Sequence, residues 1–432
     1  MDKYFNISKL GSSYKKEIIG GITTFITMAY ILIVHPRIMV AAGIPFEASL
    51  LATIISAAFG TLIMGIYAKR PFAIAPYMGE NAFIAFTVVK VMGYSWQQAI
   101  AAIFISGIFF TLITIFKLRK WLVNGIPKNM SIAFTVGIGL FLSFIGLNES
   151  GIVSVGVPGA PVHIGDLSSS HSLMAIFGFL IISVLMIKYK NIAIITGLFV
   201  ITITGLLIGD ISLPQSYFSH PVDISTIFMK MDFTGVFTWG FVPVILTVLV
   251  MDFVDTMGTL MGVSYSAGFL DKNGNLPEIE KPMLVDALST IVASVFGTTS
   301  AGAFIESAAG VHSGARTGLA SIVTGLLFLS ALFLAPILSI IPGYAYGPAM
   351  IVVGLLMFSN LKDLKLNDFT ELVPAFVIIV LMSFTFNMGI GMTAGFIIYP
   401  LMKIIAGKTK EISGAIWALA AVSILFFIFY PY

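Results

Sequence analysis

Cysteine is absent from the 432 residues, which excludes disulfides and thiolate metal sites. Charge is scarce: Asp, Glu, Lys and Arg make up 10% of the chain, against roughly 25% in a soluble domain. A chain this poor in charge cannot cover an ordinary wet surface. The net charge of +3 is too small to signal a nucleic-acid partner, and the basic residues gather in short loops rather than in a patch. The five histidines, His35, His163, His171, His220 and His312, lack metal-ligand spacing, so no metal or other cofactor is expected. No nucleophile–base set and no phosphate loop is found, which argues against an enzyme. Gly137-Ile138-Gly139 lies inside an apolar run without βαβ context and reads as packing. Residues 1–16 lack the apolar core and cleavage site of a signal peptide, so the first apolar run is expected to direct insertion.

What is present is apolar surface: 58% hydrophobic residues and a mean hydropathy of +1.02. Runs of about 20 residues, enough to cross a hydrocarbon core of about 30 Å, recur throughout. They fall near 19–40, 46–67, 71–92, 96–116, 128–147, 171–187 and 191–208. A second set lies near 240–265, 282–297, 298–313, 315–340, 346–358, 370–386 and 388–406, with one more run at 412–430. The expected class is an all-α polytopic membrane protein of about fourteen spans.

Loop charge tests that reading. Lysine and arginine cluster at Lys3, Lys9, Lys15 and Lys16, at Lys69 and Arg70, and at Lys117, Arg119, Lys120 and Lys128. Further clusters are Lys188 and Lys190, Lys272 and Lys281, Arg316, Lys362 and Lys365, and Lys403, Lys408 and Lys410. Each follows an even-numbered span or precedes the first. Only Arg37, Lys90 and Lys230 fall on the other side, so the N-terminus is expected to be cytoplasmic. Seven spans per half place the halves in opposite orientations, the arithmetic of an inverted repeat. The expected organisation is a cytoplasmic segment 1–18, a first seven-span repeat 19–208 and an external connection 209–239. A second repeat 240–406 and a C-terminal apolar segment 407–432 follow.

Carboxylates are expensive inside a membrane and call for a reason. Glu80, Asp252, Asp255 and Glu306 fall in or near spans, with Asp252 and Asp255 three residues apart on one helical face. Asp286 and Glu47 are expected at span edges, Asp286 at the cytoplasmic interface. Pro71 and Pro76 keep a regular helix from starting before Met78. The tenth span opens with the small and hydroxylated run Gly297-Thr298-Thr299-Ser300-Ala301-Gly302-Ala303. Both read as extended segments turning into short helices. Paired breaks at matching places in two halves point to a transporter's binding site.

Several blocks together give a resemblance over nearly the whole chain. They are Gly20-Gly21-Ile22-Thr23-Thr24-Phe25-Ile26-Thr27-Met28-Ala29-Tyr30, Asn81-Ala82-Phe83 and Asp252-Phe253-Val254-Asp255-Thr256-Met257-Gly258-Thr259. The last is Ile305-Glu306-Ser307-Ala308-Ala309-Gly310-Val311, followed by Arg316-Thr317-Gly318-Leu319. In these the chain resembles the AzgA-like purine permeases of the nucleobase cation symporter-2 superfamily. The resemblance implies two inverted seven-span repeats divided into core and gate domains, short strands in the third and tenth spans, and substrate contacts at Asn81, Asp255 and Glu306. Two departures stand out: Tyr77-Met78-Gly79-Glu80-Asn81 where the family usually has Gly-Met-Gly-Leu-Asn, and His35-Pro36 where it has Asn-Pro.

The expected activity is proton-coupled uptake of hypoxanthine, guanine or adenine at the cell membrane. Glu306 is the expected main base-recognition group, assisted by Asp255 and Asn81. Ser307 lies beside it, and Phe83 or Phe304 is positioned to stack on the ring. Glu306, Asp255, Glu80 and Asp252 are the proton-coupling candidates. Expected partners are a purine nucleobase, protons and the lipid bilayer, with no nucleic acid, and a homodimer as a candidate assembly. Competing readings are a same-fold transporter of uracil, xanthine or an inorganic anion, and, further off, a channel.

Overall fold

A computed structural model describes residues 2–116, 125–157, 160–190, 192–214, 223–236, 241–271, 276–385 and 387–429. Lys117, Arg119, Lys120, His220 and Lys272 lie outside them, as does part of the 209–239 connection. In chain order the helices begin with α1 (Asp2–Phe5), α2 (Tyr14–Met28), α3 (Ile31–Ala41) and α4 (Phe46–Ile63). Strand β1 (Ile74–Pro76) leads into the short α5 (Met78–Ala82), then α6 (Trp96–Ile115) and α7 (Lys128–Glu149). A hairpin of β2 (Val153–Val157) and β3 (Ala160–Ile164) precedes α8 (Ser170–Lys188) and α9 (Ala193–Leu207). The second half opens with α10 (Val242–Ala267) and α11 (Glu280–Val295), then β4 (Ala301–Ala303) and the short α12 (Ser307–His312). It continues with α13 (Gly318–Ser330), α14 (Ala335–Ser339), α15 (Gly343–Phe358), α16 (Phe369–Phe384), α17 (Met388–Ile405) and α18 (Gly414–Phe429).

Local chemistry explains the boundaries. Ser13, Ser95, Ser169 and Asn387 cap helices by accepting a backbone N–H from the first turn. The chain breaks between α2 and α3 at Ala29–Tyr30, ahead of Pro36, which has no N–H to give to the preceding turn. Five residues of α5 pass directly into π-helix over Phe83–Val91, a wider winding that recurs at Met64–Ala68. Among the described residues nine helical stretches are long and apolar enough to cross a membrane, with shorter apolar helices at Ala193–Leu207, Phe369–Phe384 and Gly414–Leu425. The β2–β3 hairpin is an addition to the sequence expectation. Its alternating Val153-Ser154-Val155-Gly156-Val157 and the Pro158-Gly159 pair are the signals that announce it.

Packing divides the helices into two groups. In one, α4 packs on α13 and α6 on α11, α2 packs on α13 and α6 on α10, and β1 and β4 lie between them. In the other, α7 packs on α16 and α8 on α15, while α16 lies along α17. At the centre of the second group α7 and α15 meet through small residues. A Cβ added at Gly139 or Gly146 would fall 2.6 Å from the carbonyl oxygen of Gly354 or Gly347 respectively.

Candidate functional site

The site begins with backbone. Pro71 and Pro76 hold the third segment extended, and Ile74, Ala75 and Pro76 pair antiparallel with Ala303, Gly302 and Ala301. Tyr77 N–H donates to Ser300 O at 3.0 Å and Phe304 N–H to Ala73 O at 3.0 Å, so the ladder runs past both strand ends. Side chains satisfy what the ladder leaves: Thr61 bonds both N–H and C=O of Ile74, and Thr290 does the same for Ala301. Non-helical backbone away from water is tolerable only when it is satisfied in this way. Gly302 is required by the crossing, since a Cβ there would lie 2.1 Å from the Tyr77 hydroxyl. The Tyr77 ring stacks on Phe304, with centroids 6.0 Å apart and planes 12° apart.

From this crossing the short helix α5 carries Asn81, and Glu306 sits immediately before α12. Glu306 Oε1 accepts from the Tyr30 hydroxyl at 2.7 Å, while Oε2 is enclosed without a partner. Asn81 is fully buried; its Nδ2 lies 2.7 Å from His35 Nδ1, and its Oδ1 has no partner. His35 Nε2 lies 2.6 Å from Thr298 Oγ1. Tyr30 and His35 both come from the break region of the first span, so that span ties the two interrupted segments together. Ser307 Oγ accepts Ala73 N–H at 2.9 Å and so anchors the strand.

A cluster of acids stands alongside. Glu80 is fully buried and both its carboxylate oxygens lack partners, with Asp252, Asp255 and Asp286 within electrostatic reach. Asp252 Oδ2 accepts from Thr290 at 3.3 Å. Asp286 corrects the expectation of a cytoplasmic-interface residue. It is fully buried and accepts from Ala303 N–H at 2.8 Å, Thr256 at 2.6 Å and Tyr77 at 3.5 Å. The reason is the exposed N–H groups of β4, which need an acceptor at that depth. Asp255 is partly exposed. One turn on, Gly258 has nothing within 4 Å of an added Cβ, and two turns on Gly262 meets only Ile305, at 3.0 Å. An open space therefore runs along α10 beside Asp255 and the loop carrying Glu306. Phe83 and Phe304, the two rings expected to stack on the base, are both buried in the core, with Phe304 stacked on Tyr77. His312 is exposed and forms no part of the cluster. A cavity of about 790 Å³ lined by Arg37, Glu149, Asp210 and Tyr344 lies elsewhere and includes none of these residues.

A family profile described as a permease family, of the xanthine/uracil type, matches residues 15–398. The chain belongs to that permease family. The permease is similar to the adenine permease AdeP of Escherichia coli, at 39% identity over 99% of this chain and 96% of the relative. It is also similar to the guanine/hypoxanthine permease PbuG of Bacillus subtilis, at 38% identity over 99% and 100%. Among solved structures, the transmembrane domain of a cyanobacterial bicarbonate transporter, BicA, aligns with a TM-score of 0.65. That alignment is 17% identical and covers 88% of this chain and 96% of that one. At such identity the likeness shows the fold alone. The permease is thus a multi-pass membrane transporter and not an enzyme.

The site also takes in Tyr30, His35, Tyr77, Thr256, Asp286 and Thr298, none of which was among the residues expected to form it. His35 and Tyr77 sit at the departures from the resembled pattern. Polar side chains at a proline-marked break were the available clue for His35 and, five residues earlier, Tyr30.

Proposed function

We propose that the permease takes purine nucleobases into the cell across the plasma membrane together with protons. The observation that carries this reading is the pair of buried, unpartnered acceptors at the two half-helices, Asn81 Oδ1 and Glu306 Oε2. Neutral purines offer ring N–H groups to such acceptors. Asp255 faces the open space along α10, where it can meet the same ligand. The carboxylates of Glu80 and Glu306 meet no basic side chain among the described residues, which disfavours an inorganic anion as cargo. Relatives named for adenine and for guanine/hypoxanthine support a purine.

A carboxylate charge is costly in the membrane interior. Binding of a proton at Glu306, Asp255, Glu80 or Asp252, or of a substrate N–H, relieves that cost and links the two events. Two inverted seven-span repeats are supported by the way contacts exchange: the second span packs on the eleventh as the fourth does on the ninth, and the fifth meets the twelfth at the centre. The group holding β1 and β4 is the core, the group around α7 and α15 the gate, and rocking between them gives alternating access. The N-terminus is cytoplasmic by the loop-charge bias.

Uptake of radiolabelled hypoxanthine into cells or proteoliposomes, challenged with adenine, guanine, xanthine, uracil and sulfate, tests the reading. Purines are expected to compete and sulfate to have no effect. Glu306→Gln is expected to lower uptake at least about tenfold, the scale of one charge-assisted hydrogen bond. Unchanged affinity and unchanged pH dependence in that variant would overturn the role of Glu306.

A further inference from the structure

We propose that His35 is a positioning residue that locks the Asn81 amide with its Nδ2 occupied, so that Asn81 offers the substrate only an acceptor. The proposal rests on the purine reading for its substrate and on the protein alone for its geometry.

A thioether sets the orientation of the amide. Asn81 Nδ2 lies 3.6 Å from Met78 Sδ and 2.7 Å from His35 Nδ1. Sulfur in methionine carries no proton and can only accept, so the atom facing it is the amide NH2 and not the oxygen. Both amide protons are then taken, one by Sδ and one by Nδ1. His35 Nδ1 must therefore be bare, and the ring proton sits on Nε2, where it donates to Thr298 Oγ1 at 2.6 Å. Reversing the amide would set its oxygen against the sulfur and require a proton on Nδ1. The relay Met78–Asn81–His35–Thr298 is thus polarised in one direction from end to end. Asn81, His35 and Thr298 are all fully buried, so water does not replace any link.

The consequence is chemical. Asn81 Oδ1 is the amide atom left without a partner, and Glu306 Oε2 is likewise free to accept. A ligand satisfies both only by bringing N–H groups to them. An amide free to rotate would accept or donate with equal ease and would tolerate a ligand presenting a lone pair. His35 thereby makes Asn81 selective for a donor without touching the ligand itself.

The test compares His35→Leu in two backgrounds by equilibrium binding of radiolabelled hypoxanthine to purified protein. In the native background binding is expected to weaken about tenfold, the size of one oriented hydrogen bond at a buried group. In an Asn81→Asp background the same substitution is expected to cost less than about threefold, because either carboxylate oxygen accepts and nothing needs orienting. His35→Asn, whose amide oxygen can still accept from Asn81, is expected to bind within about threefold of the native protein. Equal losses for His35→Leu in both backgrounds would mean a purely structural role and would overturn the proposal. Nitrogen NMR of histidine-labelled native protein gives a reading that needs no ligand and no variant to fold well beyond assignment. The His35 signals are expected to show a protonated Nε2 and a bare Nδ1, and a proton on Nδ1 would overturn the proposal. Failure of the native protein to bind any purine would refute the purine reading and leave the tautomer result standing.

Discussion

Tyr30 reaches Glu306 across 276 residues of sequence with a single hydroxyl. Tyr30→Phe removes that donor and nothing else from a side chain that is 1% exposed. The fold is expected to survive and the half-saturating purine concentration to rise about tenfold, from loss of a hydrogen bond to a charged group; uptake kinetics over a range of pH check both. Gly258 offers the opposite experiment. Nothing lies within 4 Å of a Cβ added there, so Gly258→Leu is expected to leave the melting temperature in detergent unchanged. If the space beside Asp255 holds the base, the same variant lowers uptake at least about tenfold, and undiminished uptake would move the substrate elsewhere. At this scale the sequence revealed which residues were costly but not what they met. Glu306 and Asp255 stood out because carboxylates in apolar runs are rare, whereas Asn81 entered only through the family resemblance. Tyr30 and Thr298 did not stand out, because an aromatic hydroxyl or a threonine in a span has many ordinary uses. Asp286 was misread for a related reason: its partner is the N–H of Ala303, and a backbone acceptor requirement leaves no mark on side-chain identity.

The interrupted elements were the most legible part of the chain. Two prolines in one segment and a run of small hydroxylated residues in the other announced extended backbone, and the helices begin at Met78 and Ser307. Their pairing was not announced, because a three-residue strand carries no periodicity long enough to read. Gly302 is where the pairing is most exposed to change. Gly302→Ala would drive a methyl into the Tyr77 ring, and overpacking of this kind costs about 1–3 kcal/mol. A lower melting temperature together with lost uptake is the expected outcome, and a fully active, equally stable variant would show that the crossing can spread. The π-wound Phe83–Val91 stretch had no sequence signal at all, since its residues would suit an ordinary helix.

At the scale of the molecule, one end of the second helical group is pinned by a buried cation. Lys403 is 1% exposed and pairs with Glu371 at 2.7 Å and Glu411 at 2.6 Å, joining α16, α17 and the approach to α18. Lys403→Met leaves Glu371 charged and largely enclosed, a change that costs about 3 kcal/mol when a buried pair is broken. The melting temperature is expected to fall by several degrees, and Lys403→Met combined with Glu371→Gln to recover part of the loss. An equal fall in both would assign the effect to packing of the lysine stem. Apolar runs made a helical multi-pass protein readable, while the sorting of its segments into two groups was set by contacts between residues far apart in sequence.

The two-strand crossing also has a history in time. Ile74 leaves the ribosome 227 residues before Ala301, and at about 5–20 residues per second that is an interval of roughly 10–45 s. Through that interval the backbone of β1 has no ladder partner. The nascent first half must be sheltered in the insertion machinery or at the membrane surface, and the third segment can settle only when the tenth arrives. Assembly of this protein is therefore expected to finish late, once the tenth segment has paired with the third.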